Sequence, residues 1–205
     1  MARHTRRLRI ACFTALVLIG AASTAHATLI PISMGAFSGG EHVADFTVGV
    51  SQPLPYSEDG ATFASFSGLA ANVLSGNNFL FMTGTGILRV NFAAPELRAG
   101  FFFGNSLSMA TISVQAFSDL AGAVSLGTLG LGSFAVNQTG FVGFQADAPF
   151  LRADVSFSVA SATASFRIDD FRFEPGASAV PEPATLALTL VGIGWLGRHA
   201  QRRRR

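Results

Sequence analysis

The segment Leu151-Arg152-Ala153-Asp154-Val155-Ser156-Phe157-Ser158-Val159 places apolar residues at every odd position and polar or charged residues at the even positions from Arg152 to Ser158. Only an extended strand has a side-chain period of two, so this stretch must turn one face to a core and the other to water. Thr111-Ile112-Ser113-Val114-Gln115-Ala116-Phe117 alternates in the same way until Phe117. Further candidate strands fall at 43–50, 62–67, 78–82, 86–92, 97–103, 124–129, 133–136 and 141–146. Turn-forming clusters punctuate them: Gly39-Gly40, Asp59-Gly60, Ser75-Gly76-Asn77-Asn78 and Gly104-Asn105-Ser106. Short strands at this spacing predict an all-β chain, an antiparallel β-sandwich or jelly roll over residues 28–176. Nineteen of the 20 Phe lie in that span, and most are expected to fill its core rather than form a sugar-stacking platform.

The formal net charge of +2 conceals a segregation. Arg3, Arg6, Arg7 and Arg9 precede residue 10, and Arg198, Arg202, Arg203, Arg204 and Arg205 close the chain. Residues 28–180 carry five arginines against eleven acids, a net charge of −6. A domain of that sign repels phosphate backbones, so nucleic acid is excluded as a partner.

The N-terminus reads as a signal peptide over residues 1–27. A basic start leads into an uncharged, largely apolar run at 10–22, and Ala25-His26-Ala27 supplies the small-x-small pattern for signal peptidase, making Thr28 the new N-terminus. Arg6-Arg7 reads as ordinary n-region charge rather than a twin-arginine signal. The single cysteine, Cys12, leaves with this segment, so the mature chain has no disulfide and no thiol chemistry.

Past Gly176 the composition changes. A small-residue linker, Ala177-Ser178-Ala179, precedes Val180-Pro181-Glu182-Pro183, which its prolines keep extended. Residues 184–197 carry no charge and predict a transmembrane helix reaching about 21 Å. That is short of roughly 30 Å of hydrocarbon, so flanking arginines and lipid adjustment must supply the difference. The five closing arginines should stay cytoplasmic, which orients the rest outward.

Taken together, Val180-Pro181-Glu182-Pro183-Ala184-Thr185, the short apolar helix and the Arg-rich end resemble the PEP-CTERM sorting signal of Gram-negative bacteria. The resemblance covers residues 177–205. It implies export through the translocon, a transient inner-membrane anchor, and processing by an exosortase. It also implies a destination on the cell surface or in an exopolysaccharide or biofilm matrix. Gly100-Phe101-Phe102-Phe103-Gly104-Asn105, Phe141-Val142-Gly143-Phe144 and Ile168-Asp169-Asp170-Phe171-Arg172-Phe173 resemble, more loosely, domains found before such tails.

Catalytic chemistry finds little material. His42 is the only histidine in 28–176, no Lys occurs at all, and a His/Cys zinc site lacks ligands. His42, beside Glu41, reads as a loop residue. Gly84-Thr85-Gly86 reads as a hairpin turn, and Asn137-Gln138-Thr139 as a turn that happens to fit a glycosylation pattern. The apolar phase flips at Asp169-Asp170, as a β-bulge would cause. Two readings of that pair stay open: solvated aspartates, one paired with Arg167 or Arg172, or a structural Ca²⁺ site with Glu41 or Asp45 completing the oxygens. The favoured expectation is a non-enzymatic exported matrix protein without a cofactor. The alternative is a secreted carbohydrate-binding module with structural calcium, and an extracellular hydrolase ranks third.

Overall fold

A computed structural model of the chain describes residues 27–48, 50–74, 78–105, 108–161 and 164–175. Ala25, the V-P-E-P motif, the helix at 184–197 and the arginines from Arg198 onward lie outside the described residues. Among the described residues, no helix is long and apolar enough to cross a membrane.

The described chain is all-β. Its twelve strands are β1 (Leu29–Pro31), β2 (His42–Ala44), β3 (Gln52–Pro53), β4 (Tyr56–Glu58), β5 (Ala61–Phe66) and β6 (Ala70–Leu74), then β7 (Phe79–Thr83), β8 (Gly86–Asn105), β9 (Ala110–Phe117), β10 (Ser125–Phe134), β11 (Thr139–Val159) and β12 (Ser165–Pro175). One 3-10 turn, Met34–Ala36, interrupts them. All pairings are antiparallel, in the order β10-β9-β11-β8-β12-β7-β6-β3, with β1 added to β11, β2 to β12, and β4-β5 to β8.

Two long strands turn this single sheet into two layers. The sequence predicts separate strands at 86–92 and 97–103, and again at 141–146 and 151–159. Each pair is one bent strand, of 20 residues in β8 and 21 in β11. Their mutual register breaks between Gln145, Phe150 and Arg152, opposite Arg98, Glu96 and Asn91. Such irregularities bend a strand and let it change sheets. The front layer contains β6, β7, β12, the second half of β8 and the first half of β11. The back layer contains β10, β9, the second half of β11, the first half of β8, β5 and β4.

Alternation decides what lies between the layers. Phe101, Phe103, Phe166, Phe171 and Phe173 point inward from the front, meeting Phe63, Phe92 and Phe157 from the back, all at most 2% exposed. Phe63 meets Phe171 edge-on at 5.2 Å, and Phe157 lies 4.8 Å from Phe166. Aromatic pairs at these spacings add about 0.5–1.5 kcal/mol each beyond area burial.

Gly84-Thr85 makes no hairpin. β7 pairs with β6 and β12, whereas the start of β8 pairs with β5 and β11. The turn is a passage between layers, which Gly84 makes at φ +87° and Thr85 fastens by accepting a hydrogen bond from the Val159 amide at 3.2 Å.

Candidate functional site

The inward set of the front layer fixes what its other face carries. With Leu80 and Met82, Phe166 and Ile168, Phe101 and Phe103, Val142 and Phe144 all buried, their neighbours must face outward. Two rows of outward residues follow from the register. Asn72 pairs with Phe81, Phe81 with Arg167, Arg167 with Gly104 and Gly104 with Thr139, across five adjacent strands. In the next row Leu74 pairs with Phe79, while Asp169 pairs with Phe102 and Phe102 with Phe141.

One end of this outer face is roofed by residues 32–41. The Arg98 guanidinium donates to the Ala36 carbonyl at 2.8 Å and to Glu174 at 2.9 Å, Ser38 also bonds Glu174, and Phe37 meets Phe141 edge-on at 6.1 Å. The other end is open. There Phe79, Phe81 and Phe102 are half-buried and Arg167 is exposed, while Phe141, also half-buried, stands at the edge of the roof against Phe37. Phe141 rests on the backbone of Gly100 and Gly143, where any Cβ would collide with its ring. Its edge meets Phe102 with centroids 5.5 Å apart.

Arg167 lies along the sheet over Gly104, where an added Cβ would stand 2.9 Å from Nε. Its guanidinium sits 5.6 Å from the Phe79 ring centre. It has no hydrogen-bonded or ion-paired partner among the described residues. The other four described arginines all have one: Arg89 and Arg152 on Asp154, Arg98 on Glu174, and Arg172 on Glu41 and Asp170. Arg167 forms a ridge between two recesses. One, of about 350 Å³, is lined by Phe79, Phe81, Asn137, Ser165 and Arg167. The other, of about 290 Å³, is lined by Phe102, Thr139, Gly140, Arg167 and Asp169.

The Asp169-Asp170 pair is at a bulge, as the phase flip predicts. The β12–β8 register shifts between Asp169 and Arg172, and Asp170 takes φ +45°. The bulge sends the two carboxylates to different places. Asp169 turns to the open face, where burial, and then the charge of Asp170, push its carboxyl up. Asp170 turns to the Arg172 guanidinium at 3.3 Å, which also donates to Glu41 at 2.7 Å. Glu41 and Asp170 therefore converge on a cation that the protein itself supplies. Asp45 accepts from the Thr47 amide at 2.9 Å, and Glu58 accepts from the Phe46 amide at 2.9 Å. No group of three or more His, Cys, Asp or Glu side chains that could hold a metal ion occurs among the described residues. His42 is in β2 rather than a loop. Its ring stacks on Phe173 at 5.2 Å and its Nδ1 lies 3.1 Å from Asp59. Asn137 is in the turn before β11, as expected.

Sequence reading placed the phenylalanines in the core and missed the outward four. The available signal was the triplet Phe101-Phe102-Phe103, because a strand cannot bury three consecutive side chains on one face.

The fold and this face together define an all-β chain with a ligand-sized, aromatic-lined surface on one sheet. No family model matches the chain, and no curated protein does. Among solved structures, a family 29 carbohydrate binding module aligns at TM-score 0.43 and 11% identity, over 71% of this chain and 96% of that one. A mutant of such a module aligns at TM-score 0.44 and 10% identity, over 70% of this chain and 98% of that one. Another, complexed with mannohexaose, aligns at TM-score 0.43 and 10% identity, over 65% and 89%. Similarity at this level assigns neither family nor ligand to this chain.

Proposed function

We propose that the chain is an exported, non-catalytic protein of the cell surface or extracellular matrix whose β domain binds carbohydrate on the open front face. Its route is the one expected from the sequence: translocon export, signal peptidase cleavage after Ala27, anchoring through 184–197, and exosortase processing at Val180-Pro181-Glu182-Pro183.

The observation that supports the binding reading is the open face itself. The water-facing side of an antiparallel sheet is ordinarily polar. Here it carries four half-buried phenylalanines around a carboxylate and a guanidinium that has no ion-paired partner among the described residues. A pyranose has apolar C–H faces and a rim of hydroxyls. Rings with donors and acceptors set between them match both. The back layer's outer side differs: there the guanidiniums of Arg89 and Arg152 are both engaged by Asp154.

Affinity electrophoresis of the full chain, in gels containing exopolysaccharide from a producing strain or neutral plant glucans and mannans, tests the reading. Retardation is expected for wild type and for Val124→Ala in the exposed loop before β10, and not for the Phe81→Ala/Phe102→Ala double variant. Equal mobility of wild type and the double variant in every gel refutes carbohydrate binding at this face.

A further inference from the structure

The face also has a spacing and a charge, and these restrict what kind of glycan fits it. Adjacent strands lie about 4.8 Å apart, close to the advance of one sugar along an extended β-linked pyranose chain. A chain laid across the strands would therefore meet a new strand with each sugar. In order it would meet Phe79 and Phe81 on β7, Arg167 and Asp169 on β12, Phe102 on β8 and Phe141 on β11. Four strands span three spacings, roughly 14 Å. Arg167 stands inside that span as the ridge between the two recesses, so a bound chain must cross it.

Charge selects further. The 28–180 region carries −6, and Asp169 is beside the guanidinium on the same face. A uronate-bearing or sulfated polymer would gain one contact with Arg167 and meet the repulsion of Asp169 beside it and of the net negative domain around it. Hydroxyl groups suit both members of the pair: Arg167 donates and Asp169 accepts.

We infer that the front face is a ladder of three to four subsites for an uncharged, extended β-linked hexopyranose polymer, with Arg167 its central hydroxyl-reading residue. The inference rests on the carbohydrate-binding reading and specifies its ligand class.

The test is calorimetric titration of the full chain with neutral β-linked gluco-, manno- and galacto-oligosaccharides of two to six units, and with uronate-bearing oligomers of equal length. For at least one neutral series, affinity rises about tenfold or more from two to four units and less than about threefold from four to six. Uronate oligomers bind at least about tenfold more weakly than neutral ones. Arg167→Gln weakens the tetramer about tenfold. Gly104→Ala does so too, because its new Cβ lifts the arginine off the sheet without removing it. Thermal denaturation of both variants serves as the folding control. Neutral polysaccharide binding with no dependence on chain length, or a preference for uronate oligomers, overturns this inference and leaves carbohydrate binding intact. Absence of binding to every series and polymer overturns both. A monomer–dimer equilibrium abolished by Arg167→Gln, without sugar binding, assigns the face to self-association instead.

Discussion

Replacing Asp154 by asparagine removes the one anion between two guanidiniums and leaves its shape in place. Asp154 takes Arg152 Nε and Nη2 at 2.9 and 2.6 Å, and Arg89 Nε and Nη2 at 3.0 and 3.1 Å. Side-chain exposure is 10% for Asp154, 7% for Arg152 and 24% for Arg89. Breaking a buried pair by removing one partner costs about 3–5 kcal/mol, because the other charge stays buried alone. Arg152 is in that position. Arg89 is not, since it reaches water and keeps Phe66 beneath it at 4.0 Å. The lower end of the range applies, about 3 kcal/mol. For a chain of this size that is roughly 6–12 °C in Tm. Urea titration should show the midpoint falling with m unchanged. Burial pushes the Asp154 carboxyl up, but Arg152 and Arg89 outweigh it and hold it below the ordinary carboxylate value. Its contribution is therefore present at neutral pH and is lost as pH falls below about 4. Asp154→Asn should lose the least, relative to wild type, in acid. A cost under about 1 kcal/mol at pH 7, or one unchanged by acid, would refute the account of a dry, anion-dependent cluster.

Glu96, 2% exposed at the bend of β8, has its carboxyl pushed up to about 7 by burial and by Glu174, against a lowering by His42. The native state then holds a proton that the unfolded chain releases, so stability falls as pH rises from about 4.5 to 7. Glu96→Gln should gain roughly 2–3 kcal/mol at pH 8 and flatten that part of the pH profile by thermal denaturation. Cleavage after Ala27 would place a free ammonium at the Thr28 nitrogen, which lies 2.8 Å from an Asp147 carboxylate oxygen. N-terminal sequencing of envelope protein should begin at Thr28, and the α-amino group should titrate at higher pH in wild type than in Asp147→Asn. Recovery of intact Met1 or Ala2 refutes the cleavage. Glu182→Ala with Pro183→Ala should leave full-length protein in the inner membrane, read by fractionation and intact mass with and without an exosortase. Trimming as efficient as wild type would reduce the tail to an anchor.

The sequence by itself determined that residues 28–175 form an antiparallel all-β unit, because a period of two in Leu151–Val159 and Thr111–Phe117 has no helical solution. It also determined the Asp169-Asp170 bulge, since only an extra residue reverses the apolar phase between Ile168 and Phe171. Both are local properties of the chain. The tertiary structure alone decided that 86–92 and 97–103 are one strand, because a bend becomes visible only when two layers pull its halves apart. It alone decided that β7 and β8 do not pair across Gly84-Thr85. It alone separated Arg172, which is ion-paired to Glu41 from 131 residues away, from Arg167, which forms no ion pair among the described residues. The two arginines are five residues apart on one strand and look alike in sequence. The bulge puts them in different surroundings, and cross-strand neighbours, which no local pattern encodes, decide which is held in ion pairs and which is left on the open face.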